Sequence, residues 1–390
     1  MAVSGFTVID ADGHVFETNR LYDLFTERYM APQYAAAFKA LLAKARAAWR
    51  RGGEVPTVNI WAVEGRERVL GWSRPMGPGT ATAIDFRGGG LKPGTEAAKA
   101  PLDPIGRLRD MDREGIDISV IYPSSLASFC ALGDTGLEAS IYEAYNRWLA
   151  DYCNADSRRL KYVAVVSLRD IGKAVAEIER TAKDNVVVGV YCQTHMGERQ
   201  LDQPHFYPIW EAALKHNLPI AVHHASAGLP PFGVGVFEMN ENWFLQHASS
   251  NPFEQMRAIC TMIGGGIFEK FPKLQVAYLE AGCGWLPYWL DRLDEHFALM
   301  PNSVPLLKHK PGVVFTKGGC YISFEPGERM LPYTIKHVGD DRIVFASDYP
   351  HFDGKFPDSV RAVTERKDIP ESSKRKLLGE NARRLYPRLG

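Results

Sequence analysis

The sequence predicts an α/β fold of the TIM-barrel class, a (β/α)8 barrel. Eight short apolar runs rich in β-branched residues recur along the 390 residues, and most precede a segment with helical periodicity. Strands that are apolar on both faces and alternate with helices are typical of a parallel sheet, and eight of them favour a closed barrel. An open doubly wound sheet is the alternative, but no glycine-rich phosphate loop follows the first run. The eight runs are FTVID, IDISVIYP, KYVAVVSL, VVVGVYC, PIAVHH, LQVAYLEA, CYISFEP and RIVFASDYP.

Helices are predicted between these runs wherever apolar residues recur at spacings of three and four. Residues 137–152, after the second run, and residues 203–216, after the fourth, show this periodicity. Polar or turn residues follow each run, as expected where a buried strand reaches the end of a barrel. The pattern therefore predicts a single domain over residues 1–390.

Two segments interrupt the alternation of strand and helix. Residues 20–101, between the first two runs, hold an amphipathic helix and then a Gly- and Pro-rich stretch, WSRPMGPGTATAIDFRGGGLKPG. Long loops on the carboxyl-terminal face of such barrels build the substrate pocket, so this insertion is interpreted as either a lid or a surface excursion. Residues 225–252 are predicted to form a long loop after the fifth strand.

Composition narrows the class of partner. The 46 basic residues balance the 46 acidic ones, which leaves no electrostatic footprint for nucleic acid or an anionic membrane. Six cysteines are scattered without paired spacing, which favours reduced thiols. The first residues lack the pattern of a signal peptide, and no apolar run approaches the ~20 residues of a membrane span. We expect a cytoplasmic protein whose partner is a small-molecule substrate, with no nucleic acid and no membrane.

Ionisable side chains follow the predicted strands at the end where a parallel barrel gathers them. Asp12 and His14 come after the first run, and side chains two apart in an extended chain point to the same side. Only one of the adjacent His223 and His224 can face inward. Imidazoles and carboxylates are the usual ligands of a divalent metal. The remaining candidates are His195, Glu280, Asp348 and His351.

Long motifs in a fixed order carry a family resemblance: DADGHVFE, RLRDMDREGIDISVIYP, FYPIWEAALKHNLPIAVHH, FEKFPKLQVAYLEAGCGWLPYWLDRLD and RIVFASDYPHFDGKFP. Nearly from end to end, the chain resembles the amidohydrolase-related family, the second amidohydrolase group. That group includes aminocarboxymuconate-semialdehyde decarboxylase and the resorcylate decarboxylases. The resemblance implies a metal-dependent barrel with eight strands. Its metal ligands would fall on Asp12, His14, His223 and Asp348.

Two departures from the family pattern replace an imidazole by a carboxylate. Asp12 stands where the family often has the first histidine of His-x-His, and Glu280 stands where a catalytic histidine is common. With Asp348, these side chains carry three negative charges against two from one divalent ion, and a buried excess charge must be compensated. Either Glu280 is protonated and serves as a general acid or base, or a second metal enters, or another cation pairs with it.

A second metal is disfavoured by strand four, which lacks the lysine or glutamate that bridges two ions in dinuclear relatives. His195 and His247 can still help to hold one. We expect one divalent ion, zinc first, with manganese or iron admitted by the oxygen-rich ligand set.

The expected reaction is hydrolysis of an amide, ester or lactone of a small, possibly aromatic, carboxylate by a metal-bound water, with Glu280 or Asp348 managing the proton. Non-oxidative decarboxylation is the alternative, because the family does both. The carboxylate-rich ligands also admit an iron-dependent enzyme that uses oxygen, and a barrel without catalysis is the remaining hypothesis.

Further side chains are assigned supporting roles. His351 and Asp353 are predicted to hold the metal ligands from behind, with turn formation as the alternative. Three tyrosines at or just past the ends of predicted strands are candidates for orienting substrate: Tyr122, Tyr191 and Tyr349. Relatives are commonly dimers, so a homodimer or higher oligomer is expected, with a hetero-oligomer left open.

Overall fold

A computed structural model describes residues 5–47, 60–63, 66–69, 94–223 and 243–389. Eight parallel strands form one sheet, and each strand pairs with the next in chain order. All eight predicted runs form strands, and the helices between them complete a TIM barrel, which confirms the predicted fold class. The strands are β1 (Ile9–Val15), β2 (Ile118–Pro123), β3 (Leu160–Val165), β4 (Val187–Cys192), β5 (Ile220–His223), β6 (Val276–Leu279), β7 (Cys320–Phe324) and β8 (Ile343–Phe345).

Helices cover the outside of the barrel, and several begin at an aspartate. Asp134, for example, accepts hydrogen bonds from the backbone N–H groups of Gly136 and Leu137, which satisfies donors that a helix leaves open at its start. The α-helices are α1 (Asn19–Leu24), α2 (Pro32–Ala47), α3 (Glu96–Lys99), α4 (Pro104–Glu114), α5 (Thr135–Cys153), α6 (Ile171–Thr181), α7 (Tyr207–Lys215), α8 (Trp243–Gly264), α9 (Ile267–Lys270), α10 (Leu286–Leu299), α11 (Pro311–Lys317), α12 (Leu331–Val338), α13 (Ser359–Thr364), α14 (Glu371–Arg375) and α15 (Asn381–Leu385).

The predicted helix over 137–152 is confirmed as α5, and the one over 203–216 consists of a short 3-10 turn followed by α7. Among the described residues, no helix is long and apolar enough to cross a membrane.

Strand β1 is longer than predicted. The apolar run FTVID ends at residue 10, but the strand continues to Val15, so Asp12 and His14 lie within it and not after it. A register shift between Asp10 and Gly13 accommodates the polar residues. Gly13 is required there, because a Cβ would lie 2.6 Å from Oδ2 of Asp10 and 2.7 Å from Oγ of Ser119.

The first and last strands meet at a seam that main-chain and side-chain hydrogen bonds join. The Asp348 N–H donates to the Asp12 carbonyl at 3.1 Å, and the His14 N–H donates to the Tyr349 carbonyl at 2.6 Å. The buried Asp10 carboxylate accepts from the hydroxyls of Ser119 and Ser347 at 3.2 and 2.8 Å. The seam therefore holds the ends of β1 and β8 in a fixed relation at the site end of the barrel.

Parts of both interrupting segments are described. The insertion contains α1, a π-helical turn, α2, a hairpin of Ile60–Val63 with Arg66–Val69, and α3. Its Gly- and Pro-rich stretch lies outside the described residues, so the lid interpretation stays a prediction. Of the loop predicted over 225–252, residues 243–252 are instead helical, because α8 begins at Trp243 and includes Pro252, and residues 225–242 lie outside the described residues. Gln255 of this helix donates to the carbonyls of Val222 and Leu279, which ties the helix to the barrel.

Candidate metal centre

Ligand-type side chains from four strands converge at the carboxyl-terminal end of the barrel. His14 is central: its Nε2 lies 3.3 Å from Oδ1 of Asp12, 3.5 Å from Oδ1 of Asp348 and 3.8 Å from Oε2 of Glu280. Asp12, His14 and His223 offer ligand atoms within 4.8 Å of one another, and His14, Glu280, Asp348 and His351 form a second such group. We call Asp12, His14, His223, Glu280 and Asp348 the cation cluster. The structure thus brings together the four predicted ligands and the predicted catalytic glutamate.

Strand β5 contributes His223 to the cluster. Its Nε2 lies 2.7 Å from Oε2 of Glu280 and 3.6 Å from Oδ1 of Asp12. His223 is the last residue of the strand and is buried, whereas His224 lies outside the described residues. The geometry supports His223 as the inward-facing member of the pair.

Two carboxylates of the cluster are carried by left-handed backbone. The φ angles of Glu280 and Asp348 are 52° and 54°, a region that non-glycine residues adopt at a cost of roughly 1–3 kcal/mol. Surrounding contacts hold both: the Glu280 N–H donates to Oγ of Ser323 at 3.1 Å, and the Asp348 N–H binds β1 across the seam. This backbone turns both side chains from the ends of their strands toward His14.

The buried donor atoms fit a divalent cation. Nδ1 of His14 lies 3.0 Å from the Pro123 carbonyl, which can only accept, so Nδ1 carries the hydrogen and Nε2 presents a lone pair to the cluster. Within the part of the chain that the structure describes, neither this Nε2 nor either carboxylate oxygen of Asp12 has a hydrogen-bond partner. Buried polar atoms are rarely left unsatisfied, and an imidazole oriented by a carbonyl is characteristic of a metal ligand.

The charges of the cluster are strongly coupled. Burial alone would raise the pKa of Asp12, but His223 and His14 hold that pKa below its ordinary value. Burial alone would lower the pKa of His223, but Asp12 and Glu280 raise it well above its ordinary value. Burial raises the pKa of Asp348 well above its ordinary value, and the charges of Glu280, Asp353 and Asp12 raise it further. Asp12 is therefore the permanent anion, while burial and the neighbouring carboxylates favour the protonated form of Asp348.

A family model described as "Amidohydrolase" matches residues 9–388. The chain belongs to the amidohydrolase family. It is an enzyme of this superfamily.

Related proteins and solved structures carry decarboxylase names. The chain is 23% identical over 281 residues to 2-amino-3-carboxymuconate-6-semialdehyde decarboxylase of Dictyostelium discoideum, which covers 72% of this chain and 75% of the relative. It is 25% identical over 272 residues to 6-methylsalicylic acid decarboxylase of Penicillium expansum, covering 65% and 79%. The structure of 5-carboxyvanillate decarboxylase from Novosphingobium aromaticivorans, complexed with manganese and a nitrobenzoic acid, superposes with a TM-score of 0.69 at 20% identity, covering 99% and 97%.

Behind Asp348, this amidohydrolase has a chain of hydrogen bonds that starts at His351. Nδ1 of His351 lies 2.6 Å from Oδ1 of Asp348, and Nε2 lies 2.7 Å from Oγ of Ser124. The His351 ring stacks on the ring of His14, with centroids 4.3 Å apart. Asp353 lies close enough to hydrogen-bond Asp348 and raise its pKa. The structure thus places both His351 and Asp353 next to a cluster carboxylate, and their support of the metal ligands stays a prediction.

The structure places His195 outside both groups of ligand-type atoms. Its Nδ1 donates to the Gly197 carbonyl at 2.9 Å, and its Nε2 lies 3.3 Å from Oε2 of Glu254. His247 belongs to α8, but its side chain lies outside the described residues. His195 is therefore a partner of Glu254, and its predicted role at a second metal is not supported.

Two of the three tyrosines predicted to orient substrate point elsewhere. The hydroxyl of Tyr122 binds the hydroxyl of Tyr386, and the hydroxyl of Tyr349 donates to Asp110 at 2.7 Å. Tyr191 differs: its hydroxyl is buried without a hydrogen-bond partner among the described residues, and its ring centroid lies 5.9 Å from that of His223. Only Tyr191 of the three keeps a donor available beside the cluster.

Sequence reasoning missed the connection between Ser124 and His351, and it assigned no role to Glu17. Ser124 follows the second predicted strand, and its Oγ lies 2.7 Å from Nε2 of His351. Glu17 stands in the same DADGHVFE stretch as Asp12 and His14, and this density of ionisable residues was the available signal.

Proposed function

We propose that this enzyme removes the carboxylate of a small aromatic or conjugated acid as CO2, without oxidation and with a divalent metal. Relatives named for decarboxylation favour this reaction over the hydrolysis first expected from the sequence. The observation that carries the proposal is the 2.6 Å contact between Nδ1 of His351 and Oδ1 of Asp348, which can hold a proton at the edge of the cation cluster.

Hydrogen-bond directions restrict where that proton resides. The Ser124 hydroxyl has one hydrogen, which it donates to the Val15 carbonyl at 2.8 Å, so its contact with His351 requires an N–H on Nε2. Nδ1 of a neutral His351 is then an acceptor, and the 2.6 Å contact requires a protonated Asp348. Burial and the nearby carboxylates, which raise the pKa of Asp348, favour this state over an imidazolium. The pair thus stores one proton next to the cluster.

Asp12, His14 and His223 would hold the cation, with Asp348 as the fourth side chain. When bound, a divalent ion supplies a Lewis acid that orients a substrate carboxylate and an adjacent oxygen. The Tyr191 hydroxyl, buried and without a partner among the described residues, supplies a donor to a substrate oxygen. Glu280 contributes the negative charge that keeps Asp348 protonated.

The reaction then needs one proton transfer. Asp348 delivers its proton to the ring carbon that bears the carboxylate, and the electrons for this new C–H bond come from the substrate π system. The bond between that carbon and the carboxylate breaks, its electron pair restores the π system, and CO2 leaves. Asp348 remains as a carboxylate that regains a proton from solvent through His351.

Hydrolysis is the second candidate, and Glu280 is the observation that favours it. Its carboxylate lies 2.7 Å from His223, inside the cluster, where it can accept a proton from water. The two reactions differ in the products and in the residue that loses or gains the proton.

The metal identity stays a prediction. The related 5-carboxyvanillate decarboxylase structure contains manganese, while zinc was expected from the sequence. The carboxylates of the cluster are hard oxygen ligands that suit manganese, iron or zinc, so we expect manganese to support turnover as well as zinc.

The test uses the enzyme loaded with Mn²⁺ or Zn²⁺ and a panel of ortho-hydroxybenzoic acids in D2O without oxygen. We expect CO2 release and one deuterium at the carbon that lost its carboxylate. Asp348→Asn, which keeps the size of the side chain, should lower turnover by about 10²–10⁴-fold, the usual contribution of a positioned acid. Hydrolysis of amides, esters or lactones without CO2 release would instead favour the second candidate, and a requirement for O2 would favour the iron alternative.

A further inference from the structure

We infer that Glu17 is a positioning residue that aligns the hydrogen-bonded pair of Asp348 and His351 through Ser124. This inference deepens the proposed decarboxylation and rests on it for its catalytic meaning. The geometric part, that Glu17 holds Ser124 in place for His351, stands on observed contacts alone.

Glu17 follows β1 and binds the end of β2 with both carboxylate oxygens. Oε1 accepts the Ser124 N–H at 3.0 Å, and Oε2 accepts the N–H and the hydroxyl of Ser125 at 2.7 and 2.9 Å. Its side chain is fully buried. A charge buried at this depth is costly unless several donors surround it, and here three donors come from two successive residues. The carboxylate therefore fixes the backbone of the Ser124–Ser125 turn.

The Ser124–Ser125 turn fixes the position of Oγ of Ser124. That oxygen must lie within reach of two groups at once, the Val15 carbonyl at 2.8 Å and Nε2 of His351 at 2.7 Å. If the turn shifts, the hydroxyl cannot maintain both bonds, and the ring of His351 loses the contact that sets its orientation. Nδ1 of this ring is the atom that meets Asp348. Glu17 is thus connected to Asp348 through Ser124 and His351.

A glutamine at position 17 cannot reproduce this arrangement. Its amide has one acceptor oxygen and one NH2 group, so one oxygen that now accepts a backbone N–H would be replaced by a donor facing a donor. The replacement is nearly isosteric, which separates the effect of hydrogen bonding from that of side-chain volume.

Glu114 offers a matched control. It too is a buried glutamate that accepts a backbone N–H, from Val360 at 2.9 Å, and its cost of burial raises its pKa to about 7. It binds the start of α13, and none of its observed contacts reaches His351. Glu114→Gln therefore measures the effect of losing a buried carboxylate that has no observed connection to the pair of Asp348 and His351.

The first experiment needs no substrate. Zn²⁺-loaded full-length enzyme with ¹⁵N-labelled histidine is compared as wild type, Glu17→Gln and Glu114→Gln by long-range ¹H–¹⁵N NMR, with the His351 signals identified from His351→Gln. Wild type and Glu114→Gln should show one set of His351 signals with a hydrogen on Nε2, because the Ser124 hydroxyl donates its own hydrogen to the Val15 carbonyl. Glu17→Gln should lose that pattern. A wild-type pattern in Glu17→Gln would overturn the inference, whatever the reaction proves to be.

The second experiment is kinetic and uses the ortho-hydroxybenzoic acids and Mn²⁺-loaded enzyme. Removal of residues that orient ligands from behind typically costs 10–100-fold in activity, so Glu17→Gln should lower kcat by about this factor. Its KM should stay within about threefold, and its metal content should be unchanged. A kcat equal to that of Glu114→Gln would contradict a positioning role.

A pair of variants at Ser124 tests the inference independently, in case Glu17→Gln does not fold. Ser124→Thr keeps the hydroxyl and should retain most of the turnover, while Ser124→Ala should show the same loss of kcat as Glu17→Gln. In the double variant Glu17→Gln with Ser124→Ala the two losses should not add, because both act through His351. Equal turnover of the Ala and Thr variants would overturn the inference. If wild type releases no CO2 from any acid, the proposed function fails, and the NMR comparison still decides the role of Glu17.

Discussion

Two buried groupings of histidine and carboxylate lie at the carboxyl ends of the barrel strands, and they differ in how their charge is balanced. Beside β4, Glu254 accepts the Thr194 hydroxyl at 2.8 Å and lies 3.3 Å from His195 and 3.7 Å from Nη1 of Arg257. The chain itself supplies both a hydrogen-bond donor and a permanent cation to this carboxylate.

The cation cluster has different partners. Among the described residues, the ion-pair partners given for Asp12 and Asp348 are all histidines. A histidine that ligates a metal must be neutral, so it cannot also balance these carboxylates. The comparison shows that burial of a histidine beside a carboxylate does not by itself indicate a metal site. Several carboxylates around imidazole nitrogens favour one.

Metal content gives the largest expected contrast between the two groupings. Asp12→Asn should weaken the binding of Mn²⁺ or Zn²⁺ by more than about 100-fold, beyond the effect typical of residues outside the ligand set, because the permanent anion is lost. His195→Gln should keep the stoichiometry of wild type. Elemental analysis of dialysed protein measures both. Loss of metal in His195→Gln would show that the two groupings cooperate.

One substitution in each grouping should change the stability of the metal-free protein in opposite directions. Glu254→Gln breaks a buried pair and should lower the free energy of unfolding by about 3 kcal/mol. Asp348→Asn should raise it at pH 8, since the buried charge of Asp348 is unfavourable and an asparagine N–H can still donate to His351.

The pH dependence of Asp348→Asn follows from the raised pKa of Asp348. A raised folded-state pKa contributes stability that is complete below the unfolded value of 3.8 and is lost as the pH rises through the folded value. The advantage of the variant should therefore grow with pH and vanish near pH 4. Urea unfolding in the presence of a chelator tests this, and a variant less stable than wild type at pH 8 would contradict the charge assignment.

Two tyrosines beside His223 give the smallest expected difference in activity and stability. Tyr191→Phe removes a hydroxyl without a protein partner among the described residues, so it should leave stability unchanged and lower kcat/KM for the ortho-hydroxybenzoic acids by about tenfold. Tyr122→Phe keeps the ring beside His223 but leaves Tyr386 without its partner. It should cost about 1 kcal/mol of stability and leave kcat/KM unchanged. The reverse outcome would return Tyr122 to the substrate site.

The barrel was predictable because each of the eight strands lies in or overlaps a largely apolar run, the pattern of parallel strands that are buried on both faces. Strand β1 was predicted to end too early, since Asp10 and Asp12 interrupt the apolar run. These residues stay in the strand because Ser119 and Ser347 satisfy Asp10, which no local pattern reveals. Likewise, residues 243–252 were predicted to belong to a loop, but they form the start of α8, which Gln255 ties to the carbonyls of two strands.

The cluster was predictable for a related reason: side chains at one end of parallel strands must meet. It was not predictable which side chains near that end bind partners outside the cluster. Tyr122 and Tyr349 lie at or just past the ends of strands, yet their hydroxyls bind Tyr386 and Asp110 from remote parts of the chain. His195 likewise binds Glu254 and not the cluster. The orientation of these side chains depends on partners from other elements, and a single sequence does not identify those partners.

The seam between β1 and β8 has a consequence for biosynthesis. Ser347, which binds Asp10 across the seam, follows it by 337 residues. At ordinary rates of translation this separation corresponds to roughly 20–70 s. Because Asp12 and Asp348 come from the two sides of the seam, a nascent chain cannot assemble the complete ligand set until its last strand has left the ribosome. Incomplete translation products would therefore contain only part of the cation cluster.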